Sequence, residues 1–144
     1  MIPHAVLPAV GPLDVLFSAI APLLFMVALS FVADSTRHKI SAIAVAGAAA
    51  AYLGGGLGAW EIVYMLLASF VAYRSLDSYR FVALAWAMHV VWDIVHHIYG
   101  NPIWPFRPAS SAGCAITDSI LVIWYLMGAP PLLRRGAPGT LGSR

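Results

Sequence analysis

Long apolar runs fill most of this chain, and polar, glycine-rich or proline-rich segments interrupt them at only four places. A helix needs about 20 mostly apolar residues to cross a lipid bilayer. Only 10% of the residues are charged and 61% are hydrophobic, whereas a soluble domain carries about 25% charged residues. The pattern therefore predicts an all-α integral membrane protein folded as a compact bundle of helices.

Five membrane-spanning helices account for the apolar runs. The predicted spans cover about residues 13–33, 40–57, 60–76, 81–99 and 114–131. They make residues 1–133 a single transmembrane helical domain, and residues 134–144 are predicted to form a flexible cytoplasmic tail. The stretch from 40 to 73 is too long for one crossing, and glycines at 54–58 divide it into two spans.

The basic residues predict the orientation of the bundle. With five spans, seven of the eight lie on one side: Arg37, Lys39, Arg74, Arg80, Arg134, Arg135 and Arg144. Because cytoplasmic loops carry such an excess, the N-terminus is predicted outside and the C-terminus inside, in the cytoplasmic (inner) membrane of a bacterium. The net charge of only +2 gives no basis for nucleic-acid binding.

The fourth predicted span carries the most informative motif, which reads HxxxDxxHH from His89 to His97. At about 100° per residue, its four ionisable side chains lie on one face of a helix, and the opposite face is apolar. An acidic or basic side chain at the centre of a bilayer costs about 2.5–3.5 kcal/mol. This face is therefore predicted to point into the bundle and to have a function there.

Imidazole and carboxylate groups at this spacing suit a divalent metal ion, with Zn²⁺ first and Fe or Mn as alternatives. The predicted metal ligands are His89, Asp93, His96 and His97. Asp118 and Glu61 are placed by the spans in the same outer half of the bilayer. Each is predicted to complete the metal shell or to act as a general base in catalysis. A proton or ion relay, and a polar seam that only fixes helix register, remain open alternatives.

Four more residues are predicted to contact a substrate: Arg107, Ser110, Ser111 and Tyr125. Arg107 is the single basic residue on the predicted outer side, and it could instead pair with Asp14 or Glu61. The two serines precede the fifth span and could instead cap its helix. Tyr125 lies on the same helix face as Asp118.

Two motifs carry a resemblance to a known family. Residues 89–102 read HxxxDxxHHxYGNP, and residues 108–118 read PxSSxGCxxxD. Both resemble an uncharacterised family of small bacterial multipass membrane proteins, a domain of unknown function, over about the last third of the chain. The resemblance implies a small multipass protein without a known activity. The HxxxD spacing is also similar to that of the seven-helix zinc hydrolases of the ceramidase and adiponectin-receptor type, although this chain has two helices fewer.

These features predict a metal-dependent integral membrane enzyme of hydrolase type with a His/Asp site in the outer half of the bilayer. Its substrate would be a lipid-soluble or other small molecule, and zinc-dependent hydrolysis needs no further cofactor. One alternative is a small oligomeric transporter or channel that moves protons or metal ions. Another is a non-catalytic membrane accessory protein. A stripe of small residues, Ala42, Ala46 and Ala50, allows close helix contact within the bundle or in a homodimer.

Overall fold

A computed structural model of the protein describes residues 6–133, and over that range it contains five α-helices and no strand. The helices are α1 (Pro12–Ser30), α2 (Asp34–Ala50), α3 (Ala59–Arg74), α4 (Tyr79–Tyr99) and α5 (Ser110–Leu126). The predicted all-α class and number of helices are confirmed, while the predicted tail at 134–144 lies outside the described residues. Two of the described helices, α1 and α4, are long and apolar enough to cross a membrane, and α5 is apolar but shorter.

The helix α4 is central to the bundle, because it packs against α2, α3 and α5. The first helix packs mainly against α5. At one end of the bundle, the Arg37 end, the end of α1 and the start of α2 meet the end of α5. At the opposite end, the loop end, residues 51–58 lie beside the loop 100–109, and that loop contacts the start of α1.

The second helix differs from the second predicted span in both of its bounds. It begins at Asp34, so the segment 34–39 is helical instead of a connecting loop. An acidic residue in the first turn favours a helix there, because the N-terminal end of the helix dipole is positive. It ends at Ala50, and turns follow in which Gly54, Gly56 and Gly58 have φ angles of 87°, 98° and 62°. Glycine adopts such angles without steric cost, so the turns end the helix early.

Arg37 is buried, although its position near a predicted cytoplasmic loop suggested a solvated charge. Its guanidinium donates hydrogen bonds to the carbonyl oxygens of Leu29 at 3.1 Å, Val32 at 3.1 Å and Ala129 at 2.7 Å. Carbonyls at the ends of helices run out of backbone N–H partners, and a cation there is favourable to the helix dipole. Arg37 therefore connects the C-terminal ends of α1 and α5 to the start of α2.

Close contact between α1 and α5 compensates for a proline inside α1. Pro22 has no N–H to donate to the carbonyl of Ser18, four residues earlier. The Thr117 hydroxyl donates to that carbonyl at 2.8 Å. A Cβ atom on Gly113 would lie 2.7 Å from the Ser18 Oγ, so this glycine allows the two helices to approach so closely.

The surface of the bundle is apolar and its interior is partly polar. Large apolar side chains are exposed on every helix, including Leu24, Ile43, Leu66, Val91 and Ile123. The buried side chains include three ionisable groups of α4, which are His89, Asp93 and His96. The buried ionisable groups are the informative part of this distribution, because Asp is almost never fully buried unless it is paired.

We predict that Arg37→Ala lowers the free energy of unfolding by about 3 kcal/mol or more, because a hydrogen bond to a charged group contributes about 1.5–3 kcal/mol and its loss leaves buried carbonyls unsatisfied. Lys39→Ala is the matched control, since Lys39 is exposed two residues away, and its effect should stay within about 0.5 kcal/mol. Denaturant unfolding of the solubilised protein measures both. Equal stability of the two variants would contradict the structural role of Arg37.

Candidate metal centre

Three ionisable side chains meet inside the bundle: His89 and Asp93 from α4, and Asp118 from α5. One ligand atom from each lies within 4.8 Å of those of the other two, and their exposed fractions are 1%, 0% and 5%. His89 and Asp93 are one helical turn apart and therefore share a face of α4. The packing of α5 along α4 adds Asp118 to them. We call these three residues the His/Asp cluster.

The hydrogen bond of His89 determines which of its ring nitrogens is free to bind an ion. Its Nε2 atom lies 3.1 Å from the carbonyl oxygen of Val45 on α2. A carbonyl oxygen can only accept a hydrogen bond, so Nε2 carries the proton and Nδ1 keeps its lone pair. Histidine ligands of metals are oriented in this way by a carbonyl or carboxylate acceptor.

The two carboxyl groups of the cluster are unequally paired. Asp93 Oδ1 accepts a hydrogen bond from the Tyr52 hydroxyl, whereas Asp93 Oδ2 has no donor within residues 6–133. The carboxyl of Asp118 lies next to that of Asp93. Two buried carboxylates at this separation repel each other when both are ionised. The arrangement therefore needs either a bound cation or a proton on at least one of the two carboxyl groups.

Aromatic side chains surround the cluster. Tyr64 of α3 meets the His89 ring edge to face, with 5.5 Å between centroids, and stacks on Trp92 at 4.4 Å. Trp86 lies on the other side of His89, also at 5.5 Å. The Tyr64 hydroxyl is buried and has no hydrogen-bond partner among the described residues. These rings surround His89, and the Tyr64 phenol is close enough to interact electrostatically with Asp118.

His96 and His97, predicted as two further ligands, lie outside the cluster. Seven residues of helix separate His89 from His96 by about 10 Å along the axis, so one ion cannot bind both. The His96 ring packs against Tyr52, with 4.4 Å between centroids, and His97 is half-buried. The helix periodicity correctly placed His89, Asp93 and His96 on one buried face, but a shared face does not mean a shared depth.

Glu61, predicted as a catalytic base, instead holds the glycine-rich turn at the loop end. Its two carboxylate oxygens accept hydrogen bonds from the backbone N–H groups of Gly54 and Leu57, both at 2.7 Å. The side chain is 4% exposed. A buried carboxylate with these two partners stabilises a turn that exposes its backbone donors. Asp118, the other predicted base, lies within the cluster.

The predicted substrate-binding residues fall into two places. Arg107 forms an ion pair with Asp14 and lies over the Phe17 ring, 5.7 Å from its centroid. Ser110 accepts a hydrogen bond from the Trp104 backbone at 3.1 Å. Ser111 is buried, and its hydroxyl has no partner among residues 6–133.

Tyr125 is the one predicted substrate-binding residue that lies away from the loop end. It is 1% exposed and donates a hydrogen bond to the Ser41 hydroxyl at 2.6 Å. Ser41 in turn donates to the carbonyl of Arg37, so Tyr125 belongs to the core near the Arg37 end.

A cleft of about 430 Å³ lies between α1 and α5. Its walls are mostly apolar, and Arg107 and Asp14 provide its charged groups. It also reaches Cys114 and Thr117. Cys114 is one helical turn before Asp118 and is close enough to interact electrostatically with both carboxyl groups of the cluster. The cleft therefore reaches the first turns of α5, one helical turn before Asp118.

Two tyrosines of the site were missed by the sequence-based reasoning. Tyr52 lies in the turn between α2 and α3, and Tyr64 lies in α3; neither belongs to a recognisable sequence motif. The sequence feature that could have identified them is a tyrosine within or beside an apolar span, because a buried phenol hydroxyl usually has a hydrogen-bond partner. Which partner it has depends on helix packing, which spacing alone does not reveal.

The fold and the cluster together define an all-helical bundle with ionisable groups held in its interior. The chain belongs to DUF6010, a family of unknown function, whose model matches residues 13–131. The expected membership in a family of unknown function is thus confirmed, and the match extends well beyond the last third of the chain. No curated protein and no solved structure matches the chain.

We predict that Asp118→Asn stabilises the metal-free protein by about 1 kcal/mol or more at alkaline pH, where both carboxyl groups would be ionised, because a neutral amide removes the repulsion between two buried like charges. The same change should abolish any rise in melting temperature caused by Zn²⁺, since a ligand stabilises only the folded state that binds it. Thermal unfolding with and without Zn²⁺ measures both effects. Destabilisation of the metal-free variant would contradict the inferred repulsion.

Proposed function

We propose that the protein is a five-span integral membrane protein of the bacterial cytoplasmic membrane, with its loop end at the outer face. The exposed apolar side chains on all five helices support this, because such a surface is stable in lipid and aggregates in water. The helices α2 and α3 have 17 and 16 residues, or about 25 Å at 1.5 Å per residue. A thinner bilayer or the adjoining turns can make up the difference from about 30 Å.

We further propose that the His/Asp cluster binds a divalent metal ion, with zinc as the simplest choice, and that the protein is a hydrolase. The observation that carries this is the convergence of three donor groups. One ring nitrogen of His89, one carboxylate oxygen of Asp93 and one of Asp118 lie within 4.8 Å of one another, and Asp93 Oδ2 has no hydrogen-bond donor within residues 6–133. Nitrogen and oxygen donors of this kind form three-ligand catalytic zinc sites, which keep one position open.

The residues around the metal would have distinct roles. Zinc supplies a Lewis acid that activates water for hydrolysis. The Tyr52 hydroxyl fixes the orientation of Asp93 through their hydrogen bond. The Tyr64 hydroxyl is unpaired within the described residues and could donate to a substrate oxygen. An oxygen of Asp118 that does not bind the metal could accept the proton of the attacking water.

The cleft between α1 and α5 suits a lipid-soluble substrate. Its apolar walls, including Phe17, Ile20 and Leu24, would accommodate a hydrocarbon chain. The ion pair of Arg107 and Asp14 would contact a polar head group at its mouth. Cys114, which lines the cleft, lies one helical turn from Asp118 and near both carboxyl groups of the cluster. A scissile bond below the head group would therefore lie near the metal.

A relay that carries protons or metal ions is the second candidate. The adjacent buried carboxyls of Asp93 and Asp118 favour it, because two such groups readily share one proton. Tyr52 is hydrogen-bonded to the same site. Five short helices form only a thin wall around a transport path, so this function would require a homodimer or a larger oligomer. An accessory protein without catalysis would need neither metal nor transport.

We predict about one zinc per chain in the wild-type protein, with loss of metal in His89→Ala and Asp118→Asn, because removing one of three ligands leaves too few donors. His97→Ala and His38→Ala are the matched controls and should retain the metal, since neither residue lies in the cluster. Elemental analysis of purified protein measures all four. A wild-type protein without metal, or one that loses its metal only in His97→Ala, would overturn the proposed site.

Metal content alone does not separate an enzyme from a metal transporter. For an enzyme, the protein in liposomes should hydrolyse long-chain esters or amides, and Asp118→Asn should reduce the rate by at least about 100-fold, as expected for loss of a general base. For a transporter, the same liposomes should accumulate Zn²⁺ or protons and Asp118→Asn should stop the flux. Flux without hydrolysis would replace the enzyme proposal with the relay.

A further inference from the structure

A second cavity, of about 500 Å³, lies at the loop end between residues 51–55 and 101–105. We call it the loop pocket. Its polar lining groups include Tyr52, His96 and Asn101. It is separate from the cleft between α1 and α5, with which it shares no lining residue. The function proposed above leaves both this pocket and His96 without a role.

His96 faces the loop pocket with its hydrogen-bonding capacity unused. The Asn101 backbone N–H approaches the His96 ring, but it donates to the Gly55 carbonyl at 2.6 Å. Neither ring nitrogen of His96 makes a hydrogen bond of normal geometry within residues 6–133. A buried polar group without a partner is destabilising unless something else pairs with it. Water or a hydrated cation in the pocket would provide that partner.

Tyr52 is the side chain that separates the loop pocket from the His/Asp cluster. Its hydroxyl donates to Asp93 inside the cluster, while its ring packs on His96 and lines the pocket. One rotatable side chain therefore contacts both compartments. If the tyrosine moved away from Asp93, the pocket would open directly onto a carboxylate of the cluster.

The backbone around His96 leaves that ring close to two glycines. A Cβ atom on Gly55 or on Gly100 would overlap the His96 ring. Neither glycine has a positive φ angle, so the reason for glycine at these positions is space and not backbone conformation. Gly55 lines the pocket and Gly100 precedes Asn101, which also lines it, so the lack of side chains at these two positions leaves room for the imidazole beside the pocket.

We propose that the loop pocket is the water-side entrance to the His/Asp cluster and that Tyr52 is its gate. Water and small hydrated cations would enter past His96, and a shift of Tyr52 would admit them to Asp93. The inference rests on the proposed function, because a membrane hydrolase needs a route for water that is separate from the lipid-side route of its substrate. It gives His96 a role at the entrance instead of one as a metal ligand.

Cysteine labelling from the outer face tests the entrance without requiring metal or activity. In a Cys114→Ala background, His96→Cys should react with a small cationic methanethiosulfonate in intact cells or right-side-out vesicles. Ile94→Cys is the matched control, since Ile94 is 48% exposed but lies on the apolar face of α4, where such a reagent does not enter lipid. Labelling of Ile94→Cys with none of His96→Cys would overturn the entrance.

The gate has its own test, with His89→Cys as the reporter below Tyr52. His89→Cys should label slowly with Tyr52 intact and at least 10-fold faster with Tyr52→Ala. Tyr52→Phe, which keeps the ring and loses the hydrogen bond to Asp93, should give an intermediate rate. Equal rates in all three would overturn the gate.

Two controls keep the labelling results interpretable. Val82→Cys, at a position that is 0% exposed near the Arg37 end, should stay unlabelled in every background, because its reaction would indicate unfolding. In the Tyr52→Ala background with His96 intact, Gly55→Ala should slow labelling of His89→Cys, because its Cβ would overlap the His96 ring at the entrance, whereas Gly47→Ala should not, since a Cβ on Gly47 meets nothing within 4 Å. Labelling as predicted in a protein that holds no metal would support the entrance and reject the metal hydrolase.

Discussion

The packing of α5 along α4 is the interaction on which the rest of the structure depends. It buries the ionisable face of α4 and adds Asp118 to His89 and Asp93. In the membrane placement proposed above, the apolar outward surface of the bundle would face lipid, where these groups would have no favourable place. The same contact presents Cys114 to both carboxyl groups and to the cleft beside α1. A change in the register of α5 would therefore affect the cluster and the cleft together.

Much of the architecture follows from hydrophobic pattern and helix periodicity. The apolar runs predicted five helices, and the face of α4 that carries His89, Asp93 and His96 is buried as expected. Boundaries were less predictable. Asp34 starts α2 within a segment expected to be a connecting loop, because the buried Arg37 finds its partners on α1 and α5. Those partners are distant in the sequence, so the local pattern contains no sign of them.

The sequence predicted which helix face carries the candidate site, but it did not predict the position of each residue along the helix axis. Helix geometry places His89 and His96 on one face, yet about 10 Å of helix axis separates them. The predicted ligands and bases divide accordingly into the His/Asp cluster, His96 beside the loop pocket, and Glu61 at the glycine-rich turn. Assigning them requires the relative height of neighbouring helices, which depends on side-chain packing. The hydrogen bond from the Tyr52 hydroxyl to Asp93 also depends on the relative height of neighbouring helices, so spacing in the sequence did not predict it.

Under the function and the entrance proposed above, the division of these groups would give the protein two distinct approaches to one buried centre. The cleft between α1 and α5 is mainly apolar and lies beside Asp118, whereas the loop pocket contains His96 and Tyr52 and lies beside Asp93. Hydrolysis of a lipid-soluble molecule needs two reactants of opposite polarity at one point. A single shared opening would expose the lipid chain to water or require water to cross an apolar cleft, and either is costly. Separate approaches on opposite carboxylates of the cluster avoid both costs.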